Sequence, residues 1–334
     1  MGKSASYYVG VDLGGTTMAA ALLDEEGHIF QKATVPTLAH QGHDSVIERM
    51  ARLIHEVVEN GGVGLAQVAA IGIGVPGMLD MEKGLVLFLP NLPGTWPGVP
   101  LAQRIEEATG VPAFLLNDVR SITLGEKTYG AGRKVDNMVC LAIGTGIGGG
   151  VVVGGNLLLG LDGTAGEVGH QTIDPYGPRC GCGNRGCLEA FASGPAIASM
   201  GVRAVKQGLT TRIGELCAYD LNAISPKLIY QAALEGDAVA REIYETAGFY
   251  IGIGVANLIT ILSPQMVVIG GGVAQAGELL LAPIRETARQ RAKVTPFEKV
   301  QIVQAELGTD AGMMGAATWA RQRLIARGGS KCTR

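Results

Sequence analysis

The stretch Tyr7-Tyr8-Val9-Gly10-Val11-Asp12-Leu13-Gly14-Gly15-Thr16-Thr17-Met18-Ala19-Ala20-Ala21-Leu22-Leu23 consists of two apolar β-type runs joined by a Gly-Gly-Thr-Thr turn. A third run, His28 to Val35, follows Glu25-Glu26-Gly27, so the chain opens as an antiparallel meander. The theme returns later. Met138 to Ile143 runs into Gly144-Thr145-Gly146-Ile147-Gly148-Gly149-Gly150, and a second β run continues through Val153 to a Gly154-Gly155-Asn156 turn. Between Asp44 and Asn60, apolar residues recur at three- and four-residue spacing before Gly61-Gly62, which predicts a helix with its stop. Val68 to Val75 and Val111 to Leu116 read as buried strands that end in Pro76-Gly77 and Asn117-Asp118, with a short helix from Leu101 to Thr109 between them. The second half becomes helical at Pro195–Gln207, Pro226–Leu234, Ala238–Leu262 and Glu278–Ala292, with strands at Met266–Ile269 and Val300–Ala305 and a last helix from Ala311 to about Arg327. Two halves, each a mixed sheet opened by a meander and flanked by helices, predict a duplicated α/β architecture with a cleft, its boundary just after Asp118.

Composition narrows the function. The 334 residues hold 27 Lys plus Arg against 30 Asp plus Glu, a net charge of −3, and no basic block offers a footprint for nucleic acid or an anionic membrane. The first residues lack the charge and apolar pattern of a signal or transit peptide, which predicts a cytoplasmic protein. Ile251 to Leu262 is interrupted by Asn257 and Thr260 and reads as a buried helix rather than a membrane span. The 51 glycines, without a fixed period, point to many tight turns or close backbone approaches. Six cysteines in such a chain do not read as a disulfide framework, and for the clustered Cys180, Cys182 and Cys187 a metal is the first reading.

Several strand ends carry groups suited to chemistry. Asp12 precedes a turn, Gly14-Gly15-Thr16-Thr17, whose backbone N–H groups and hydroxyls can face a phosphate; an ordinary hairpin turn is the alternative. The run from Gly144 is denser still. Five glycines in seven residues weaken a strand, so phosphate contact is favoured over a purely structural turn. No Gly-Lys-Ser/Thr follows, and a β run rather than a helix comes next, which excludes a Walker A loop and argues against a dinucleotide fingerprint. Asn117-Asp118 offers either a general base or the cap of the next helix. Asp310 reads as the cap of the last helix, and His28, His40, His43 and His55 read as surface residues.

Asp12-Leu13-Gly14-Gly15-Thr16, Asn117-Asp118, the glycine run from Gly144, Ala165-Gly166-Glu167-Val168-Gly169-His170, Cys180-Gly181-Cys182-Gly183-Asn184-Arg185-Gly186-Cys187-Leu188-Glu189 and Gly270-Gly271-Gly272 follow the order seen in the ROK family. That family comprises bacterial sugar kinases and related repressors on the actin/hexokinase-like (ribonuclease H-like) fold, and the resemblance covers essentially the whole chain. Pro90-Asn91-Leu92-Pro93, with Trp96, Val99 and Leu101, most resembles the glucokinases within it. Val119-Arg120 departs from the Ala-Asn common among relatives.

The resemblance implies a small lobe of residues 1–118 plus about 316–334 and a larger one of residues 119–315. It implies ATP-dependent transfer of a phosphoryl group to the 6-hydroxyl of glucose, with Asp118 as the base. Sugar contacts would come from Gly77, Asn91, Asn117, Asp118, Glu167, His170 and Glu189. ATP would meet Asp12, Gly14, Gly15, Thr16, Thr17, Gly144, Thr145, Gly146, Gly148, Gly271 and Gly272, with Mg²⁺ held by Asp12 through water. His170, Cys180, Cys182 and Cys187 offer one imidazole and three thiolates, a complete tetrahedral set for one structural Zn²⁺ with no open position. Kinases of fructose, mannose, N-acetylglucosamine or N-acetylmannosamine, and polyphosphate as donor, are the alternatives within the enzyme class. A sugar-responsive repressor would need a DNA-reading element, and no basic helix precedes Tyr7. The expected partners are therefore a sugar, ATP and further copies of the chain in a dimer or tetramer, with neither nucleic acid nor membrane.

Overall fold

A glycine at the centre of a strand costs order unless something needs the space, and Gly10 and Gly72 show what needs it. In the computed structural model, which describes residues 6–89 and 92–329, a Cβ on Gly10 would lie 1.8 Å from the Met313 carbonyl oxygen, and one on Gly72 would lie 1.8 Å from that of Ala316. The last helix thus rests its backbone directly on two neighbouring strands.

The first part of the chain forms β1 (Tyr7–Leu13), β2 (Thr17–Leu23), β3 (Ile29–Pro36), α1 (His43–Asn60), β4 (Val68–Val75), β5 (Met78–Asp80), β6 (Leu85–Phe88), α2 (Leu101–Thr109), β7 (Ala113–Asn117) and α3 (Asp118–Thr128). Next come β8 (Met138–Ile143), β9 (Ile147–Val153), the short β10 (Asn156–Leu157), α4 (Leu188–Ala192), α5 (Gly194–Lys206), α6 (Arg212–Leu216), α7 (Pro226–Leu234) and α8 (Ala238–Leu262). The chain finishes with β11 (Met266–Gly270), α9 (Glu278–Arg291), β12 (Gln301–Gln304) and α10 (Ala311–Gly329).

Two compact units result, one of Met1–Lys134, Asn156–Ala165 and Glu306–Arg334, the other of Val135–Gly155 and Gly166–Ala305. The first unit keeps α3, sixteen residues past the expected boundary at Asp118 and on through Lys134, and regains the chain at Glu306 instead of about 316. The reason is packing: α3 crosses α10 through glycines, where a Cβ on Gly315 would lie 1.7 Å from the Ser121 carbonyl oxygen. Helices that touch backbone to backbone belong to one core.

The first unit's sheet has the order β3-β2-β1-β4-β7, with β2 antiparallel and β4 parallel to β1, and β7 parallel to β4. One face buries α1 and α2 over residues such as Val9, Val11, Ile71 and Ile73, while the other buries α10 over Tyr8, Ala70, Phe114 and Leu116. The second unit repeats the pattern as β9-β8-β11-β12, with β9 antiparallel to β8 and β11 and β12 following in parallel. Its core runs from Val139, Leu141 and Ile143 to Ile251, Val255 and Ile259 of α8. Four of the five strand positions, with their directions, thus recur as the duplication predicts.

Helix α8 is long and apolar enough, by length and composition, to cross a membrane, but half of its most apolar window is buried within the protein. The expectation of a buried helix holds for one face only, since Asn257, Thr260 and Ile261 are exposed. A hairpin of β5 and β6, too short to leave a periodic signal, follows Gly77 directly.

Candidate active site

In the first unit, the residues singled out in the sequence collect at the C-terminal ends of β1, β4 and β7, where ligands of open α/β sheets sit. Asp12 is the penultimate residue of β1, opposite Ala19 and Gly74. Burial, and then the charge of Asp118, push its carboxyl up to about 7. The start of α10 packs against it: a Cβ on Gly312 would lie 2.8 Å from the Asp12 carboxyl carbon. The turn after Asp12 is closed by the Gly14 N–H donating to the Thr17 carbonyl at 3.0 Å. Thr37 secures it, donating its hydroxyl to the Gly14 carbonyl at 2.7 Å and its N–H to the Thr16 carbonyl at 2.8 Å. Arg49 in turn donates to the Thr37 carbonyl at 2.8 Å. Sequence reasoning missed these two supports, which lie just past β3 and on α1. Gly15, Thr16 and Thr17 are left exposed in this pinned turn.

Asn117 ends β7 and caps α3: its Oδ1 accepts from the N–H groups of Val119 and Arg120 at 3.1 and 3.2 Å. Its amide donates to the Gly77 carbonyl at 3.2 Å, which ties the two strand ends together. Capping, one of the two readings open from the sequence, is therefore what this side chain does. Asp118 follows as the first residue of α3, with Oδ1 accepting from the Val119 N–H at 2.9 Å. The helix dipole favours a carboxylate at this position. Arg120 is buried, and its Nε donates to the Ala165 carbonyl at 2.9 Å, so the departure from the family pattern supplies a structural strut. Asp310 is no cap: both of its oxygens accept from Lys32 Nζ at 2.8 Å. Among the expected surface histidines, His43 is only 30% exposed and packs edge-on against the buried Trp96. Asn91 lies outside the described residues.

The second unit gathers the remaining candidates at one end of its sheet. Gly144, Thr145 and Gly146 connect β8 to β9, with the Gly144 N–H donating to the Gly146 carbonyl at 2.9 Å. Gly148 belongs to β9, paired with Ala142, and not to the loop; the strand ladder runs through the glycines because Val168 and Gly166 pack where a side chain on Gly149 would stand. Gly271, at φ 86° just past β11, lies against Ile143, whose carbonyl oxygen would be 2.4 Å from an added Cβ. The two glycine runs are neighbours.

The cysteine segment folds back on itself. The Leu188 N–H donates to the Gln171 carbonyl at 3.0 Å, that of Ile173 to Gly186 at 2.8 Å, and that of Cys180 to Asn184 at 2.8 Å. This ladder sets His170 beside Cys180, Cys182 and Cys187, with all four ligand atoms within 4.8 Å of one another. Cys182 and Cys187 Sγ are 3.7 Å apart, as are Cys180 Sγ and His170 Nδ1. A tetrahedral ion with metal–sulfur bonds of about 2.3 Å has edges of about 3.8 Å, so the cluster fits such an ion. Burial pushes the Cys180 thiol up to about 12, so a thiolate there calls for a cation beside it. Glu167 is exposed, one residue before the short turn that carries His170. Glu189 stands on α4, its Oε2 accepting from the Ile147 N–H at 2.9 Å.

The ROK family's profile matches residues 8–323. The chain belongs to the ROK family. Among relatives of this ROK protein, a glucokinase of Thermotoga maritima is 40% identical over 316 residues, 95% of this chain and 98% of the relative. A xylose repressor of Caldicellulosiruptor bescii is 34% identical over 94% of this chain and 77% of its own length. Among solved structures, a ROK glucokinase of Streptomyces griseus in complex with glucose and AMPPNP superposes with a TM-score of 0.83, at 34% identity over 95% of this chain and all of the other. The actin/hexokinase-like fold expected from the sequence is the fold of these relatives.

Proposed function

We propose that this ROK protein is a glucokinase that transfers the γ-phosphoryl group of ATP to the 6-hydroxyl of glucose. The observation that carries this reading is full-length similarity to glucokinases, including one bound to glucose and AMPPNP, together with a carboxylate, Asp118, at a strand-to-helix junction beside Asp12.

A sugar hydroxyl is a poor nucleophile at neutral pH, so Asp118 takes its proton as the oxygen forms a bond to the γ-phosphorus and the bond to the ADP oxygen breaks. Asn117 keeps α3 starting at Asp118 and so fixes where that carboxylate stands. Gly77, Asn91, Glu167, His170 and Glu189 contribute sugar contacts, their carboxylates accepting from vicinal hydroxyls. The exposed turn Gly14 to Thr17 and the loop Gly144 to Gly146 offer backbone N–H groups to phosphate oxygens, and Gly271 and Gly272 let the adenosine approach backbone. Asp12 holds Mg²⁺ through water, and the ion offsets negative charge on the triphosphate. His170, Cys180, Cys182 and Cys187 hold one Zn²⁺, which closes the loop carrying Glu189 and has no part in the reaction.

The test is ADP release with ATP and Mg²⁺ against glucose, mannose, fructose, N-acetylglucosamine and N-acetylmannosamine, with polyphosphate as a separate donor. Glucose ahead in kcat/KM by more than about tenfold, a gap of about 1.4 kcal/mol, sustains the reading. Another sugar in front overturns the substrate. A second reading, a sugar-responsive repressor, is favoured by the similarity to the xylose repressor; it predicts sugar binding without ADP release.

A further inference from the structure

The two oxygens of Glu189 point to different parts of the second unit. Oε1 lies 3.7 Å from Cys180 Sγ, one of the four clustered metal-ligand side chains. Oε2 accepts from the Ile147 N–H at 2.9 Å, at the end of the glycine loop. No side chain fits between them: a Cβ on Gly146 would lie 2.4 Å from Oε2. The other end of the loop is held from the same segment, since the Gly194 N–H donates to the Gly144 carbonyl at 2.8 Å and the Ser193 N–H to the Glu189 carbonyl at 3.1 Å.

A peptide group is planar, so holding the Ile147 N–H also fixes the direction of the Gly146 carbonyl, which accepts from the Gly144 N–H. One carboxylate thereby sets the loop's closing turn. Its own position is set in turn by α4, whose N-cap is Cys187. We infer that Glu189 is a positioning residue for the loop Gly144 to Gly146, through which the cysteine cluster sets the shape of the phosphate-binding backbone as well as that of the sugar side. The inference rests on the reading above that this loop meets phosphate.

A charge-assisted hydrogen bond holds the loop more firmly than a neutral one, so its loss should appear in nucleotide binding with no sugar present, where a role limited to sugar contact would change nothing. The experiment is calorimetric titration of the metal-loaded protein with Mg²⁺·AMPPNP, without sugar, for wild type, Glu189→Ala, Glu189→Gln and Gly146→Val, with metal content measured on each. Glu189→Ala should keep its metal yet weaken nucleotide binding about tenfold, equivalent to about 1.4 kcal/mol. Glu189→Gln, whose amide oxygen still accepts from Ile147, should recover most of that loss. If Glu189→Ala does not fold, Glu189→Asp, with the charge kept and the reach shortened, should show the same weakening. Unchanged nucleotide affinity in the Glu189 variants, with affinity lost in Gly146→Val, overturns the inference and leaves the phosphate reading standing. Unchanged affinity in Gly146→Val as well overturns both.

Discussion

Asp12 and Asp118 are coupled: burial first, and the charge of Asp118 second, push the Asp12 carboxyl up to about 7. In the folded chain Asp12 is therefore protonated over a range in which the unfolded chain has already released its proton at its ordinary value of 3.8. Its contribution to stability falls as pH rises between those two values and is level above about 7. Asp12→Asn, which cannot ionise, escapes this loss. Without nucleotide or Mg²⁺, the variant should gain on wild type in urea midpoint from pH 4 to pH 7 and keep a constant lead at higher pH. A lead that does not change with pH would show that the Asp12 carboxyl is not raised in the folded chain.

Asp118→Ala removes the proposed base but leaves the Asn117 cap of α3 in place. Turnover should fall by about 10³-fold or more, while glucose binding, followed by calorimetry, changes little. Near-normal turnover would reassign the base.

The ladder from Gln171 to Leu188 brings four ligands together but leaves Cys182 exposed. Cys182→Ala should lose the bound metal, read by elemental analysis, and weaken glucose binding by about tenfold, since even residues behind the ligands tune metal sites on that scale. Full metal content in the variant would remove Cys182 from the ligand set.

Glu126 is fully buried, and its carboxylate accepts from three backbone N–H groups: Ala131 at 3.0 Å, Glu306 at 3.2 Å and Leu307 at 2.8 Å. It joins the end of α3 to the approach to α10. Glu126→Ala would take the acceptor from all three donors, at a cost of about 1–3 kcal/mol. Glu126→Gln should also destabilise, because an amide nitrogen would face N–H donors. Denaturant midpoints for both variants, against wild type, measure this; no shift in either would mean that water replaces the carboxylate.

Much of the candidate site could be read from the chain because its signals are local. A polar residue at the end of a buried apolar run, as at Asp12 or Asn117-Asp118, marks a strand end. Three cysteines within eight positions, spaced by glycines, mark a loop that no core strand would tolerate. What escaped the reading depends on distant partners. Lys32 takes Asp310 across 278 positions, Thr37 and Arg49 pin a turn on another loop, and Glu126 binds backbone from the far end of the chain. The domain boundary slipped for the same reason: Gly125 and Gly315 have no periodicity, and only the crossing of α3 with α10 explains them. Gly148 was misplaced because a strand made of glycines and a loop made of glycines look alike until their hydrogen bonds are seen.

The seating of α10 on Gly10 and Gly72 also sets a timetable for synthesis. The strands that receive this helix are among the first residues made, yet the helix follows Glu306, roughly 170 residues after Lys134, or about 10–30 s of translation at bacterial-type rates. Until then Tyr8, Ala70, Phe114 and Leu116 lack the part of their cover that Met313, Met314, Ala317 and Trp319 supply. The second unit, continuous but for one short excursion, can complete itself on the ribosome while the first waits half-built. A nascent chain stalled before residue 306 would leave exposed the part of that sheet face on which α10 rests.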